Sequence, residues 1–199
     1  MTATLLLIRH AMHTDYGERF TGRADGVPLS AAGEAQARTL GERLAGEPVA
    51  AVYASPRERT LRTAEAIAAP HGIAVQAAEA LDEIDLGDWT GRRIADLDGT
   101  PDFVRWNEQR DTATPPGGEG MAAVADRAEA FASEAAARHE GKTVVLVSHA
   151  DVIRALVCRV LGLTFANFWR FEIGPVSITR LLFGAWGGKL LSLNEGAAA

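Results

Sequence analysis

Apolar positions along the chain fall into two rhythms. Unbroken apolar runs occur at Leu5-Leu6-Leu7-Ile8, at Ala50-Ala51-Val52-Tyr53-Ala54 and at Val144-Val145-Leu146-Val147. Runs of about four to eight apolar residues without alternation read as strands buried on both faces. Between them the spacing is helical. Ser30 fits an N-cap for a segment through Leu44, with Gly46 as its stop. Ser55-Pro56 opens a second helix over 57–69, closed by Pro70, His71 and Gly72. A third helix is predicted over 121–139 and a fourth over 152–161, with a short strand at 73–76 and two late strands at 177–183 and 189–193. This alternation predicts an α/β fold, a three-layer α/β/α sandwich with a largely parallel central sheet. Residues 12–28 read as a loop over the sheet edge. The less regular stretch 84–120, with Trp89, Trp106 and Pro115-Pro116-Gly117-Gly118, reads as a lid-like excursion within a single domain spanning 1–199.

Composition narrows the picture without changing it. The 199 residues suffice for one large domain. A formal net charge of −6 argues against a nucleic-acid groove, which needs clustered Lys and Arg. The single cysteine, Cys158, lies in an apolar helical pattern and reads as a buried, inert thiol. No apolar run approaches the roughly 20 residues of a membrane span, and no secretory leader pattern is present, so neither membrane nor nucleic acid is an expected partner and the cytoplasm is the expected location. The chain carries no signal for an oligomeric state. His71 and His139 read as surface residues near helix ends, where a cation suits the helix dipole. Trp106, Trp169 and Trp186 read as packing residues; Trp89 could pack or meet substrate.

The chemistry gathers at strand ends. The first strand ends in Arg9-His10 and the later one in Ser148-His149, and such ends open into the crevice where α/β sheets bind ligands. The second strand delivers a helix start, Ser55-Pro56-Arg57-Glu58-Arg59, whose free N–H groups and dipole favour anions. Two imidazoles, arginines and a helix end form a receptor for a phosphoryl dianion: one imidazole to attack phosphorus, the other to donate to its oxygens. The leaving alkoxide needs a proton, and the acidic stretch Leu81 to Gly91 offers four carboxylates, Asp82, Glu83, Asp85 and Asp88, among which residue type alone does not choose.

Taken in order, these segments resemble the histidine phosphatase superfamily, the phosphoglycerate mutase-like proteins, over essentially the whole chain. Arg9-His10-Ala11 is similar to the family's Arg-His-Gly signature, which places His10 as the phosphorylated nucleophile. Thr21-Gly22-Arg23, Pro28-Leu29-Ser30, and Gly33 with Gln36-Ala37 are similar to the segments that follow it. Ser55-Pro56-Arg57-Glu58-Arg59 with Thr63-Ala64 places Arg59 as a phosphate-binding arginine; Leu81-Asp82-Glu83 with Gly87-Asp88-Trp89-Thr90-Gly91 selects Glu83 as proton donor; Pro116-Gly117-Gly118-Glu119 precedes Val147-Ser148-His149-Ala150, which places His149 as the second pocket histidine. The resemblance implies a cofactor-independent phosphatase that hydrolyses small phosphomonoesters through a phosphohistidine, with Arg9, Arg59, His149, Thr21 and Gly22 on the substrate, and with no metal. Within the family the acid motif resembles the phosphatase branch, including α-ribazole phosphatase-like and broad-specificity members. The sequence departs from the pattern at Ala11 and Ala150, where glycines are usual. It departs again at His13 and Tyr16, where Thr or Ser and then Asn commonly help hold phosphate or substrate.

Three alternatives compete. A mutase would return the phosphoryl group to a substrate, but the mutases compared carry a longer excursion and more basic residues around the acid motif. Metal-dependent hydrolysis could draw on His10, His13 and His149, yet histidines three apart on a loop are a poor ligand set and two arginines would repel a divalent cation. A catalytically weak phosphate-binding module would have no need of Glu83.

Overall fold

The computed structural model describes residues 2–196. Its strands are β1 (Thr2–Arg9), β2 (Val49–Ala54), β3 (Val75–Ala77), β4 (Thr143–Ser148), β5 (Ile178–Gly184) and β6 (Gly187–Glu195). They form one sheet in the order β3-β2-β4-β1-β5-β6. The first four are mutually parallel, and β5 and β6 add antiparallel on one edge. The helices are α1 (Ala31–Leu44), α2 (Glu58–Ala68), α3 (Ile94–Leu97), α4 (Pro101–Glu108), α5 (Met121–Arg138) and α6 (Ala150–Leu161).

The unbroken apolar runs work as expected of doubly covered strands. Leu6 and Ile8 of β1, with Val52, Val145 and Val147, pack into one cluster with Leu40, Leu44 and Ile67 of α1 and α2. Leu5 and Leu7, with Tyr53, Val144 and Leu146, pack into the other with Val124, Ala128 and Leu156 of α5 and α6. Alternate side chains of one strand therefore anchor opposite helical layers. The registers set the functional edge: Arg9 lies opposite Ser148, His10 N–H donates to Ser148 O at 3.0 Å, and Ser55 N–H donates to Val147 O at 3.0 Å. Three strand ends are thus held level.

Local sequence fixes that edge. Ser30 caps α1 by accepting from Gly33 N–H at 3.0 Å, while its own N–H and hydroxyl donate to Met12 O. A Cβ on Gly33 would lie 1.9 Å from Met12 O, so only glycine lets the segment after His10 sit against the start of α1. Gly87 has φ +51°, and its Cβ would meet Pro116 O at 2.1 Å, which ties the acidic stretch to residues 115–118.

Several expectations need correction. β3 is three residues at 75–77, and α6 begins at Ala150, directly after His149, because His149 itself is the extended residue preceding the helix. Trp106 and Trp89 do pack: Trp89 lies edge to face with both Trp106 and Phe103, and Trp106 lies tilted against Phe103. Trp186 does not: it is 58% exposed on the tight β5–β6 connection. Trp169 is 52% exposed, stacking edgewise on buried Phe168 with its indole N–H donating to Asn107 O at 3.4 Å. His139 is half-buried against Tyr53, ring to hydroxyl 2.9 Å, and desolvation with neighbouring Arg138 lowers its pKa, so it is not the dipole-facing cation expected. Cys158 is buried, and burial pushes its thiol up to about 11, as an inert group requires.

Candidate active site

The end of β1 contributes Arg9 and His10 to a cavity of about 310 Å³, and Ala150 and Asp151, at the start of α6, line it as well. His10, from the end of β1, is buried, and its Nδ1 lies 2.7 Å from Ala11 O. A carbonyl only accepts, so Nδ1 carries the proton and Nε2 keeps its lone pair. Desolvation, then Arg59 and Arg9, hold its pKa well below the usual histidine range, so the ring is neutral and nucleophilic.

His149, at the end of β4, stands 5.1 Å from His10 between ring centroids. Its Nδ1 is 3.2 Å from Arg59 Nη2, which can only donate. Its proton therefore sits on Nε2 and is donated to Ser55 Oγ at 2.8 Å, and the Ser55 hydroxyl donates on to Asp82 Oδ1 at 3.0 Å. Burial, then Arg59, lower its pKa well below the ordinary value as well.

Arg59 lies in the first turn of α2, fully buried, with Nη2 also donating to Gly22 O at 2.7 Å. Its Nε and Nη1 are buried without a partner, as is Arg9 Nε, while Arg9 Nη1 donates to Ile173 O at 2.7 Å. Orphaned buried guanidinium N–H groups are costly, and a dianion among them would satisfy them. Arg9 also lies over the Tyr16 ring, 5.2 Å from its centroid. Thr21 and Gly22 line the cavity, Gly22 through a left-handed turn packed against Leu86 and Thr90.

Glu83 faces this cluster. Its Oε2 is 3.6 Å from His149 Nδ1, and its Oε1 accepts from Ile84 N–H at 3.0 Å. Burial, then the nearby Asp151 carboxylate, push its pKa up to about 8 against the attraction of Arg59, so at neutral pH it carries a proton. Asp82, Asp85 and Asp88, undecided by residue type, separate clearly. Asp82 is buried in a structural network, taking Arg57 Nε at 3.0 Å and Glu83 N–H at 2.9 Å; Asp85 accepts from Gly87 N–H; Asp88 lies beside Gly117.

Sequence reasoning assigned no role to the residues that hold Glu83. Arg127 donates to Ala80 O, Asp82 O and Glu83 O, and to Glu119; Arg23 donates to Glu83 O at 2.7 Å and Glu119 at 2.8 Å. Glu119 and Arg23 stood in the quoted motifs, but Arg127 sits mid-helix with no local signal. Asp151 was missed too, although it follows His149 by two residues. His13 lines the cavity with its Nδ1 buried and unpartnered, 5.4 Å from His10 between centroids, and burial lowers its pKa to about 4.

A neutral histidine with a free Nε2, orphaned guanidinium donors and a protonated carboxyl define a site for phosphoryl transfer through histidine. Residues 5–196 match the family model of the histidine phosphatase superfamily, branch 1, and the chain belongs to that family. It is a phosphatase acting on phosphomonoesters through a phosphohistidine. Phosphoserine phosphatase 1 of Hydrogenobacter thermophilus is 36% identical over 194 residues, 96% of this chain and 91% of that one. The adenosylcobalamin/α-ribazole phosphatase of Escherichia coli K12 is 30% identical over 172 residues, 85% of this chain and 84% of that one. In structure, a mycobacterial glucosyl-3-phosphoglycerate phosphatase superposes with a TM-score of 0.88 at 28% identity, covering 98% of this chain and 100% of that one. The expected α/β fold and phosphatase chemistry are therefore both met.

Proposed function

We propose that His10 is the covalent carrier and Glu83 the proton donor in the hydrolysis of small phosphorylated metabolites. The observation that carries this reading is the pairing of a neutral His10 with free Nε2 and a Glu83 carboxyl protonated at neutral pH, both in one cavity. His10 Nε2 attacks phosphorus; the bond from phosphorus to the ester oxygen breaks, and the Glu83 proton goes to that oxygen, releasing an alcohol. Arg9 and Arg59 turn their unpartnered N–H groups to the phosphoryl oxygens. Burial, then Arg59, keep His149 neutral; a bound dianion offsets both, which favours a proton on its Nδ1 and donation to the phosphoryl group. Thr21 and Gly22 complete the wall around it. Water then attacks the phosphohistidine and gives its proton to the Glu83 carboxylate. The P–N bond breaks, and phosphate leaves.

Ile84, Leu86 and Ile94 reach the cavity from 84–120, which supports a lid role for that segment in one domain. The relatives named for phosphoserine and α-ribazole support small metabolites as substrates. The one thiol, which needs no oxidising compartment, supports a cytoplasmic setting; among the described residues no helix is long and apolar enough to cross a membrane. The test is turnover of a phosphomonoester panel before and after exhaustive chelation. Activity on several small esters, unchanged by chelator and inhibited by vanadate, is expected. Activity lost to chelator and restored by zinc or manganese would overturn the assignment.

A further inference from the structure

The phosphoryl centre does not use all the charge in the cavity. Asp151 and Arg154 also line it, three residues apart on α6 and therefore on one helix face. The cations that act most on His10 and His149 are Arg59 and Arg9, with Arg127 also acting on His149; Arg154 is not among them.

Both α6 charges are built in, not loose on the surface. Arg154 is 6% exposed, with its guanidinium 5.1 Å from the Phe168 centroid and 5.0 Å from that of Trp169. Its Nε is buried without a partner, and its one ion pair runs to Glu172, whose side chain is 76% exposed. A pair with so exposed a partner is weak, and a ligand carboxylate can replace it. Asp151 receives a single contact, 3.4 Å from Arg110 Nη1 to its Oδ2, and Arg110 is itself pinned flat over Trp106. A carboxylate has about four acceptor positions, so Asp151 keeps free ones toward the cavity. A fixed anion and a fixed cation side by side match a ligand carrying the opposite pair.

The geometry points to a leaving-group subsite on α6 in which Arg154 takes a carboxylate and Asp151 an ammonium, so that the preferred substrate is the phosphate ester of a small α-amino acid. This rests on the phosphatase reading above and adds the identity of the alcohol. Phe20, Leu86 and Ile94 give the cavity an apolar part of its wall, and Arg19, which also lines it, is exposed with its guanidinium on Gly91 O, so the buried charges of the α6 face are the fixed ones available to orient the leaving group. The balance of charge matters: a bare carboxylate would leave Asp151 unmatched, and a bare amine would leave Arg154 unmatched.

The test removes groups from the ligand before touching the protein. On the wild-type enzyme, kcat/KM for O-phosphoserine is compared with 3-phosphoglycerate, which has hydroxyl for ammonium, and with phosphoethanolamine, which lacks the carboxylate. Each loss should lower kcat/KM by about 10- to 100-fold, the range for hydrogen bonds to charged groups. Asp151→Asn should shrink the preference for O-phosphoserine over 3-phosphoglycerate, and Arg154→Gln the preference over phosphoethanolamine, each leaving the other ratio in place. Near-equal use of the three esters by an enzyme that still forms phosphohistidine would overturn the subsite and spare the phosphatase reading. So would a preference for 3-phosphoglycerate over O-phosphoserine, or variants that alter both ratios alike. Absence of phosphohistidine with every ester would instead overturn the phosphatase reading.

Discussion

In the proposed mechanism Glu83 is the residue on which the proton inventory turns. Because it must be protonated to act as acid, kcat/KM should fall as pH rises through about 8, and the alkaline limb should vanish in Glu83→Gln, with substrate ionisation accounted for. The same substitution separates its role from packing. General acid catalysis contributes about 10²–10⁴-fold and matters most for poor leaving groups. Glu83→Gln should therefore slow single-turnover phosphorylation by alkyl phosphates far more than by nitrophenyl phosphate; equal slowing would remove Glu83 from the role. Stability carries a matching signature. A carboxyl whose folded pKa lies above its ordinary 4.5 binds its proton more tightly when folded, so its contribution is full below about 4.5 and is lost as pH rises toward about 8. Asp82 offers the contrast. Its carboxylate takes Ser55, Arg57 and the Glu83 N–H while buried. Asp82→Asn should cost on the order of 3 kcal/mol in chemical denaturation and slow both substrate types alike.

At the scale of elements, the strand ends were legible because unbroken apolar runs stop abruptly at Arg9-His10 and Ser148-His149, and burial enforces that pattern. The helix at 31–44 also followed from a cap and spacing, and the one predicted over 121–139 ends one residue earlier, at Arg138. What could not be read was tertiary in origin. Nothing local marks Arg127 as the clamp on Glu83, or shows that Trp169 and Trp186 face outward. The choice among four carboxylates came from resemblance, and burial with charge then separated Glu83 from the rest. Element packing also yields a prediction at Gly33. Gly33→Ala would drive a Cβ into Met12 O, so α1 and the segment after His10 must part; a loss of about 1–3 kcal/mol in denaturation is expected, with slower turnover. Unchanged stability would mean that this contact does not hold the loop.

Across the whole molecule, an acidic chain of net charge −6 keeps a basic pocket, in which burial leaves several arginine donors unsatisfied until an oxyanion arrives. The four parallel strands bring His10, the start of α2 and His149 level, and the excursion supplies Glu83's apolar surroundings. That arrangement has one chemical consequence that the metal-dependent and binding-only readings lack: a phosphoryl group bonded to His10 during turnover. Rapid acid-free quenching followed by peptide mapping tests it directly. An acid-labile, alkali-stable phosphoryl group on the His10 peptide, formed and consumed at rates that match turnover and missing in His10→Ala, is the expected result. Undiminished hydrolysis by His10→Ala, or a phosphoryl group trapped on another residue, would contradict the account.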